Sequence, residues 1–444
     1  MFSNLLRGSF TRPDGSAAPA PGRLEFAARG VPVPYLNALR RCVMRDVKTA
    51  AFAFDPSDPA AQDILFEKNT GVLHNEFMGQ RVSLVPICLS RDELAQFEPE
   101  RCTFTLAVDN AGTKPLDVTT ADIVVSQAYG TPASRLLNRD KLFPADPISK
   151  DHVLLTTLMP KTGGAAQGLH FRARASFGSG SRHARWCPVA AIGFVPRVDE
   201  AEAAAQAKTA LDKHRFDTID RFSIYQRDVD DNAIDNEFFL ESACGMTPED
   251  IVAEGLNAVS QRMRAIANST DNEEAVSLMG DRPGENMYGI VLHGQDSSVG
   301  ELIQYELLLS GKTEFAGYYK HHTATDAIIL SIKTTETDVL GLLQRTCDVV
   351  ARRSEALSSI WAATVAGGKV PPEAAALFSG KNGAARARSE GEPGDAVKKT
   401  KTKKKAAVEA AVEAVEAVEA AVEAKKAAPK RVRKPKKARE AEPA

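Results

Sequence analysis

Apolar residues recur at spacings of three and four in three places along this chain, and each predicts a helix with one buried face. Leu36, Leu39, Val43 and Val47 form the first face, entered through Val31-Pro32-Val33-Pro34 after a short strand at Arg23 to Phe26. Asn37, Arg40, Arg41 and Arg45 lie on its other side, which is either solvated or a docking face. The second helix opens at Thr247-Pro248-Glu249-Asp250: an N-cap, a proline at the first helical position and two acids in the first turn. It continues with Val252, Leu256, Val259, Met263 and Ile266, and the third carries Leu340, Leu343, Cys347, Val350, Ser354, Leu357 and Trp361. Both seams are heptad-like and suit packing along another helix.

Between the first two helices the texture changes. From about Thr49 to Pro196, short alternating runs such as Thr103-Phe104-Thr105-Leu106-Ala107-Val108 are broken by Gly, Pro and Asp, which predicts a mainly β insert over residues 49–199. An Ala/Glu/Lys-rich surface segment follows at Asp199 to Lys213, and β-type runs return at Phe222 to Gln226 and Phe238 to Ser242. Residues 1–48 and 200–267 thus read as one discontinuous sheet-and-helix domain. Asn268 to Asn286, polar and acidic with Gly280, Pro283 and Gly284, reads as a linker. Fully extended it would reach about 60 Å, and as a flexible coil about 25 Å. Beyond it come a strand at Tyr288 to His293, a capping box at Ser298-Val299-Gly300-Glu301, strand-like runs at Thr313 to Tyr319 and Ala327 to Ile332, and the last helix. These make a second unit over residues 287–362. Strand, helix, strand and helix recur on both sides of the linker, so the fold class is α+β with two related units.

Composition alters this picture only towards the end of the chain. The 444 residues allow two or three domains, and 43% hydrophobic with 26% charged residues is ordinary for a soluble globular protein. The net charge of −2 hides an asymmetry: from Lys381 onward there are 18 Lys/Arg and 10 Asp/Glu, a net of +8, leaving −10 for the residues before. An acidic body is a poor partner for nucleic-acid phosphates, so any direct contact of that kind falls to the tail, residues 363–444. There Val408, Val412, Val415, Val418 and Val422 share one helical face between lysine clusters. That is too little apolar area for a core, and the tail reads as disordered with a conditional helix.

Candidate chemistry is sparse. The six cysteines include no C-x-x-C pair, so neither a zinc site nor a disulfide framework is written in their spacing, and a reduced intracellular setting is expected. Asp228, Asp230 and Asn232 match the first ligands of a calcium loop, yet Ala233 and Phe239 stand where the glycine and the bidentate glutamate belong. His321-His322 on a strand would point to opposite faces and cannot easily share an ion. Phosphate-loop, nucleophile-elbow and zinc-protease motifs are absent. No catalytic, cofactor-binding or metal residue is nominated, and no cofactor, signal peptide or membrane span is expected.

Several motifs resemble a known family. Pro34-Tyr35-Leu36-Asn37-Ala38-Leu39-Arg40-Arg41 resembles the Asn-Ala-Leu-Arg-Arg helix that opens the alpha subunit of bacterial RNA polymerase, its larger archaeal counterpart and the third-largest subunit of polymerase II. Asn69-Thr70-Gly71-Val72-Leu73-His74-Asn75-Glu76-Phe77, running on to Arg81-Val82-Ser83-Leu84-Val85-Pro86, is similar to that family's alpha motif, and Ala184-Arg185-Trp186-Cys187-Pro188-Val189 looks like its Ala-Lys-Trp-x-Pro-Val. After the linker, Asp296-Ser297-Ser298-Val299-Gly300-Glu301-Leu302-Ile303 resembles the Asp-His-Thr-Leu-Gly-Asn-Leu-Leu of the smaller archaeal alpha-like partner, with Phe315-Ala316-Gly317-Tyr318 and Ile332-Lys333-Thr334 in the expected order. The family's Pro-His-Pro appears as His321-His322-Thr323, and the four-cysteine zinc loop of some relatives is not matched.

The resemblance implies a non-catalytic assembly platform in which both halves of an alpha-like heterodimer are fused. Its two units would pair through their long helices, with Val252, Leu256, Val259 and Met263 facing Leu343, Val350 and Leu357. Asn37, Arg40, Arg41, Asn69, Thr70, Glu76 and Arg81 would dock the largest and second-largest polymerase subunits, alongside smaller ones; Asn69 and Thr70 could instead simply cap a turn. DNA would be met mainly through the complex and weakly by the tail, and no membrane is involved. Fusion of this kind looks like that of large DNA viruses, implying the host nucleus, a cytoplasmic viral factory or the virion as location. The competing reading is a nucleic-acid-binding or chromatin-associated protein acting through its basic tail, where Lys430 to Lys437 resembles a nuclear import signal.

Overall fold

The computed structural model describes residues 1–11, 17–58, 62–129, 133–136, 138–161, 166–210, 212–227, 232–282, 286–320, 322 and 325–379. The low-complexity repeats, the aspartates at 228 and 230, and His321 lie outside the described residues. The chain begins with β1 (Phe2–Thr11), β2 (Ala17–Arg29) and α1 (Val33–Asp46), and then enters the insert. The insert comprises β3 (Lys48–Ala51), β4 (Ile64–Asn69), α2 (Asn75–Ser83), α3 (Arg91–Gln96), β5 (Cys102–Asn110), β6 (Leu116–Thr119), β7 (Val124–Tyr129), β8 (Ala133–Leu136), α4 (Arg139–Leu142), β9 (Leu154–Leu158), β10 (Gln167–Ala173) and β11 (Ser176–Ser179). The chain then returns through β12 (Val189–Pro196), the short α5 (Glu200–Ala207) and α6 (Lys213–Thr218), β13 (Asp235–Ser242) and α7 (Pro248–Ala267). A second unit follows: β14 (Val276–Arg282), β15 (Met287–His293), α8 (Ser297–Leu309), β16 (Thr313–Tyr319), β17 (Ala327–Thr334), α9 (Val339–Val365) and α10 (Pro372–Ser379). The fold is α+β.

Both units share one topology. The first sheet has the order β1-β2-β13-β12 and the second β14-β15-β17-β16, so the two pairs of outer and inner strands correspond one to one. In each unit one helix follows the second strand and a longer one follows the fourth, giving α1 with α7 and α8 with α9. Each sheet buries one face under its helices because its strands alternate: Phe238 and Leu240 in β13, like Ile328, Leu330 and Ile332 in β17, are at most 1% exposed. One hydrophobic core runs through both units, taking in Leu24, Phe26, Leu36, Val43, Leu256, Ile290, Ile303, Val350 and Trp361. The insert has its own core around Phe52, Phe104, Phe171 and Met78.

The α7 start is as its residues dictate, with the Thr247 hydroxyl accepting from the Asp250 amide at 3.2 Å. Elsewhere the structure corrects the expectations. The strand expected at Arg23 to Phe26 is the centre of the longer β2, whose partner β1 was not expected at all. The insert ends before residue 199, because β12 pairs along its length with β13 and belongs to the first unit's sheet. Phe222 to Gln226 is no strand: residues 220–223 form a 3-10 turn, and Tyr225 makes only an isolated bridge to Val198. The span 268–286 is not a free coil, since β14 is a sheet strand paired with β15 and Val276 is buried in the common core. Residues 268–275, which precede β14, are themselves turned and hydrogen-bonded. The cap of α8 is Asp296 rather than Ser298; its carboxylate accepts from the Ser298 amide at 3.0 Å, which leaves Glu301 free to reach the first unit.

Candidate functional site

The two units meet through a ladder of polar contacts laid over the shared core. α1 runs antiparallel to α8. The Tyr35 hydroxyl donates to Glu306 Oε1 at 2.8 Å, the Asn37 amide donates to Glu301 Oε2 at 2.9 Å, and Arg45 pairs with Asp296. At one end Arg353 of α9 also donates to Glu306 Oε1 at 2.6 Å, in a pocket where the Glu306 side chain is only 4% exposed. Phe378 of α10 packs over one side of this pocket, its ring 6.1 Å from that of Tyr35 and 5.7 Å from the Arg353 guanidinium carbon. Burial, and then the neighbouring Glu306 carboxylate, hold the Tyr35 phenol well above its ordinary pKa.

At the other end Arg262 of α7 lies 3.4 Å from both Asp46 and Asp296, and Arg41 is 3.9 Å from Asp296. Burial pushes the Asp296 carboxyl up, but Arg262, Arg45 and Arg41 outweigh it, so the net shift is downward. A lowered folded pKa means stability that is present above the unfolded value, about 3.9, and is lost as pH falls through the folded one. The stability difference between wild type and Asp296→Asn, followed by urea unfolding, is therefore expected to be flat above about pH 5 and to shrink below about pH 4. A difference that grew on acidification would contradict the assignment.

α7 crosses α9 in the opposite chain sense. Asn257 meets Ser358, Ser260 and Arg264 meet Glu355, and the Trp361 indole donates to the Glu249 carbonyl at 3.0 Å. Val252, Leu256, Val259, Met263, Leu343, Val350 and Leu357 are all at most 2% exposed in the common core. The hydrogen bonds between α7 and α9 just named fall on the later half of α9, beyond Val350, whereas Leu342 and Thr346 line a crevice with Glu306 and Leu309 of α8. Gly255 allows the close approach of α7 to α1, since a Cβ there would lie 2.4 Å from Val43 Cγ2.

The residues expected to dock other subunits divide into two groups. Asn37 and Arg41 face the second unit of the same chain, and the Arg40 guanidinium donates to Asn37 Oδ1 at 3.0 Å. This face is therefore not simply solvated, although Arg40 and Arg41 stay partly exposed. Asn69 caps its own turn: its oxygen accepts from the Gly71 amide at 3.1 Å and its amide donates to the Leu73 carbonyl at 2.8 Å. Thr70 exchanges hydrogen bonds with the Gly168 backbone, and Arg81 donates to the carbonyls of Leu154 and Leu155 at 3.0 and 2.9 Å. Glu76 is exposed in the first turn of α2.

These contacts anchor α2 and leave an apolar surface. Gly79 rests on the Phe54 ring, which a Cβ would strike at 2.3 Å, while Val72, Phe77 and Leu84 are 70%, 56% and 52% exposed. Beside Leu84 the exposed Val153 and Leu154 complete a shallow depression of about 230 Å³. Leu84, Val153 and Leu154, which share this depression, form the kind of exposed apolar cluster that marks contact surfaces. Sequence spacing did not nominate Phe77 and Leu84 because they interrupt no period; what distinguishes them is their exposure, although the Phe77 ring lies 4.6 Å from that of His74. Among the described residues no group of His, Cys, Asp and Glu is placed to hold a metal ion, and no helix is long and apolar enough to cross a membrane.

Residues 288–359, which cover most of the second unit, match the RNA polymerase Rpb3/Rpb11 dimerisation domain. The other likenesses are also to RNA polymerase subunits. Among similar proteins, subunit 3B of DNA-directed RNA polymerases IV and V from Arabidopsis thaliana is 26% identical over 209 residues, 44% of this chain and 60% of that protein. Subunit Rpo3 of the Thermococcus kodakarensis polymerase is 30% identical over 177 residues, 39% of this chain and 54% of its own length. The polymerase II subunit rpb3 of Dictyostelium discoideum is 26% identical over 194 residues, covering 39% and 57%. The chain thus spans at most about three fifths of the length of these curated relatives.

Proposed function

We propose that this chain is a non-catalytic assembly platform of a multisubunit DNA-directed RNA polymerase, and that it carries both partners of an alpha-like pair in one polypeptide. The observation that carries the reading is the repeated unit: two sheets of identical strand order meet through α1 with α8 and α7 with α9, and the second coincides with the matched dimerisation domain. A single chain suits such a pairing, because a short connection holds the partner at an effective concentration in the millimolar range. Fusion of the two partners resembles the arrangement in large DNA viruses, and a viral polymerase working in the host nucleus or a cytoplasmic factory fits it. The platform would receive the second-largest catalytic subunit on the α2 surface and then the largest. Phe77 and Leu84 rather than Arg40 and Arg41 are the residues to test, since charge reversal of Arg41 would also strike Asp296. Exposed substitutions usually change stability by less than about 0.5 kcal/mol, so Phe77→Asp with Leu84→Asp should leave the circular dichroism spectrum and melting unchanged. Capture of the second-largest subunit in a pull-down is expected to fall at least tenfold, as burying two carboxylates in an apolar contact costs several kcal/mol. Undiminished capture by the folded variant would reject the docking assignment.

A further inference from the structure

The shared topology of the two units implies an approximate twofold relation, under which α1 exchanges with α8 and α7 with α9. Counted from the N-caps Pro32 and Asp296, Asn37 and Glu301 are both the fifth residue of their helices. Counted from Thr247 and Asp338, Arg264 and Glu355 are both the seventeenth. Asn37 bonds Glu301, and Arg264 bonds Glu355 at 2.6 Å, so each pair joins equivalent positions and lies close to the axis. A residue on such an axis would face its own copy if two identical units paired.

We infer that the charges on this axis determine which unit pairs with which, making the contact between the two halves of one chain selective over contacts between like halves of two chains. Two first units brought together would set Arg264 against Arg264 and leave Arg41 and Arg45 without Asp296, whose equivalent in α1 is Pro32. Two second units would set Glu301 against Glu301 and Glu355 against Glu355. Across the observed contact the first unit presents arginines and the second carboxylates, with Asp296 serving Arg41, Arg45 and Arg262 together. The aliphatic seams of α7 and α9 are alike and offer little discrimination by themselves, while Trp361 against Phe2 and Phe26 adds a contact between unlike units. Opposed like charges, by contrast, are an effective way of excluding a wrong partner. The selectivity belongs to this chain's own residues and does not depend on the polymerase reading.

The test places each forbidden juxtaposition inside the intact chain. Asn37→Glu with Arg264→Glu creates the axis of two second units, and Glu301→Asn with Glu355→Arg creates that of two first units. Each double variant is expected to lower the folding equilibrium constant, read from urea unfolding, by roughly tenfold. The quadruple variant, in which the pairs are exchanged and complementary again, is expected to return to within about threefold of wild type. Recovery supports the inference even if a double variant proves too unstable to purify. If the quadruple variant is as unstable as the product of the two doubles, the axis charges are not coupled and the inference is overturned.

Discussion

Trp361→Ala is expected to lower the stability of the whole chain by about 3 to 5 kcal/mol, the range for deleting a fully buried large aromatic ring. Trp361 belongs to α9 of the second unit, yet its ring packs against aromatic residues of the first: the centroids of Phe2 and Phe26 lie 5.4 and 4.7 Å away. It is 1% exposed, and its indole N–H donates to the Glu249 carbonyl in the first turn of α7. The substitution therefore removes a ring from the core that both units share, together with a hydrogen bond that ties α9 to the start of α7. Urea unfolding followed by circular dichroism measures the loss. Trp361→Phe separates the two contributions, because it keeps most of the ring and loses the hydrogen bond, for which about 1 to 3 kcal/mol is expected. A Trp361→Ala chain within about 1 kcal/mol of wild type would mean that the two units do not share a core at this point.

How far the sequence could foretell this arrangement depended on the range of the interactions involved. The α7 helix was legible because Thr247, Pro248, Glu249 and Asp250 act within one turn, and the apolar seams because burial imposes a local period. β1 was not, since Asn4 and Gly8 adopt left-handed backbone angles of φ 55° and 67° and the register with β2 shifts at two places, so the alternation that marks a strand is broken. β14 was hidden in the same way: it is an edge strand whose register shifts between Met279 and Arg282, inside a stretch rich in polar residues and glycine. β12 is a short apolar run that follows directly on the insert strands, and only its pairing with β13 gives it to the other sheet. The motif at residues 69–86 was recognisable as a pattern, but its polar members Asn69, Thr70 and Arg81 hold the local fold through hydrogen bonds that spacing does not show, while Val72, Phe77 and Leu84 are left exposed.

The interface network lay furthest from what sequence could reveal, because Tyr35 and Glu306 are separated by 271 positions. Its one local trace is a carboxylate and a guanidinium in otherwise apolar surroundings: Glu306 among Leu302, Ile303 and Leu307, and Arg353 beside Val350 and Leu357. Charged groups survive at such positions only when they are paired. That argument fixes the second large effect. Glu306→Ala is expected to cost about 3 kcal/mol, because it leaves the largely buried Arg353 charge and the Tyr35 hydroxyl together beneath Phe378 without their carboxylate. Much of that cost reflects the groups left behind rather than the worth of the pair, since replacing a whole buried ionic set by apolar residues of similar size is often neutral. The triple variant Tyr35→Phe, Glu306→Leu, Arg353→Met should therefore be more stable than Glu306→Ala alone, despite carrying more changes. Equilibrium unfolding of the two variants side by side decides the matter: a triple variant as unstable as the single one would show that the pocket needs the shape of these side chains and not the neutralisation of their charge.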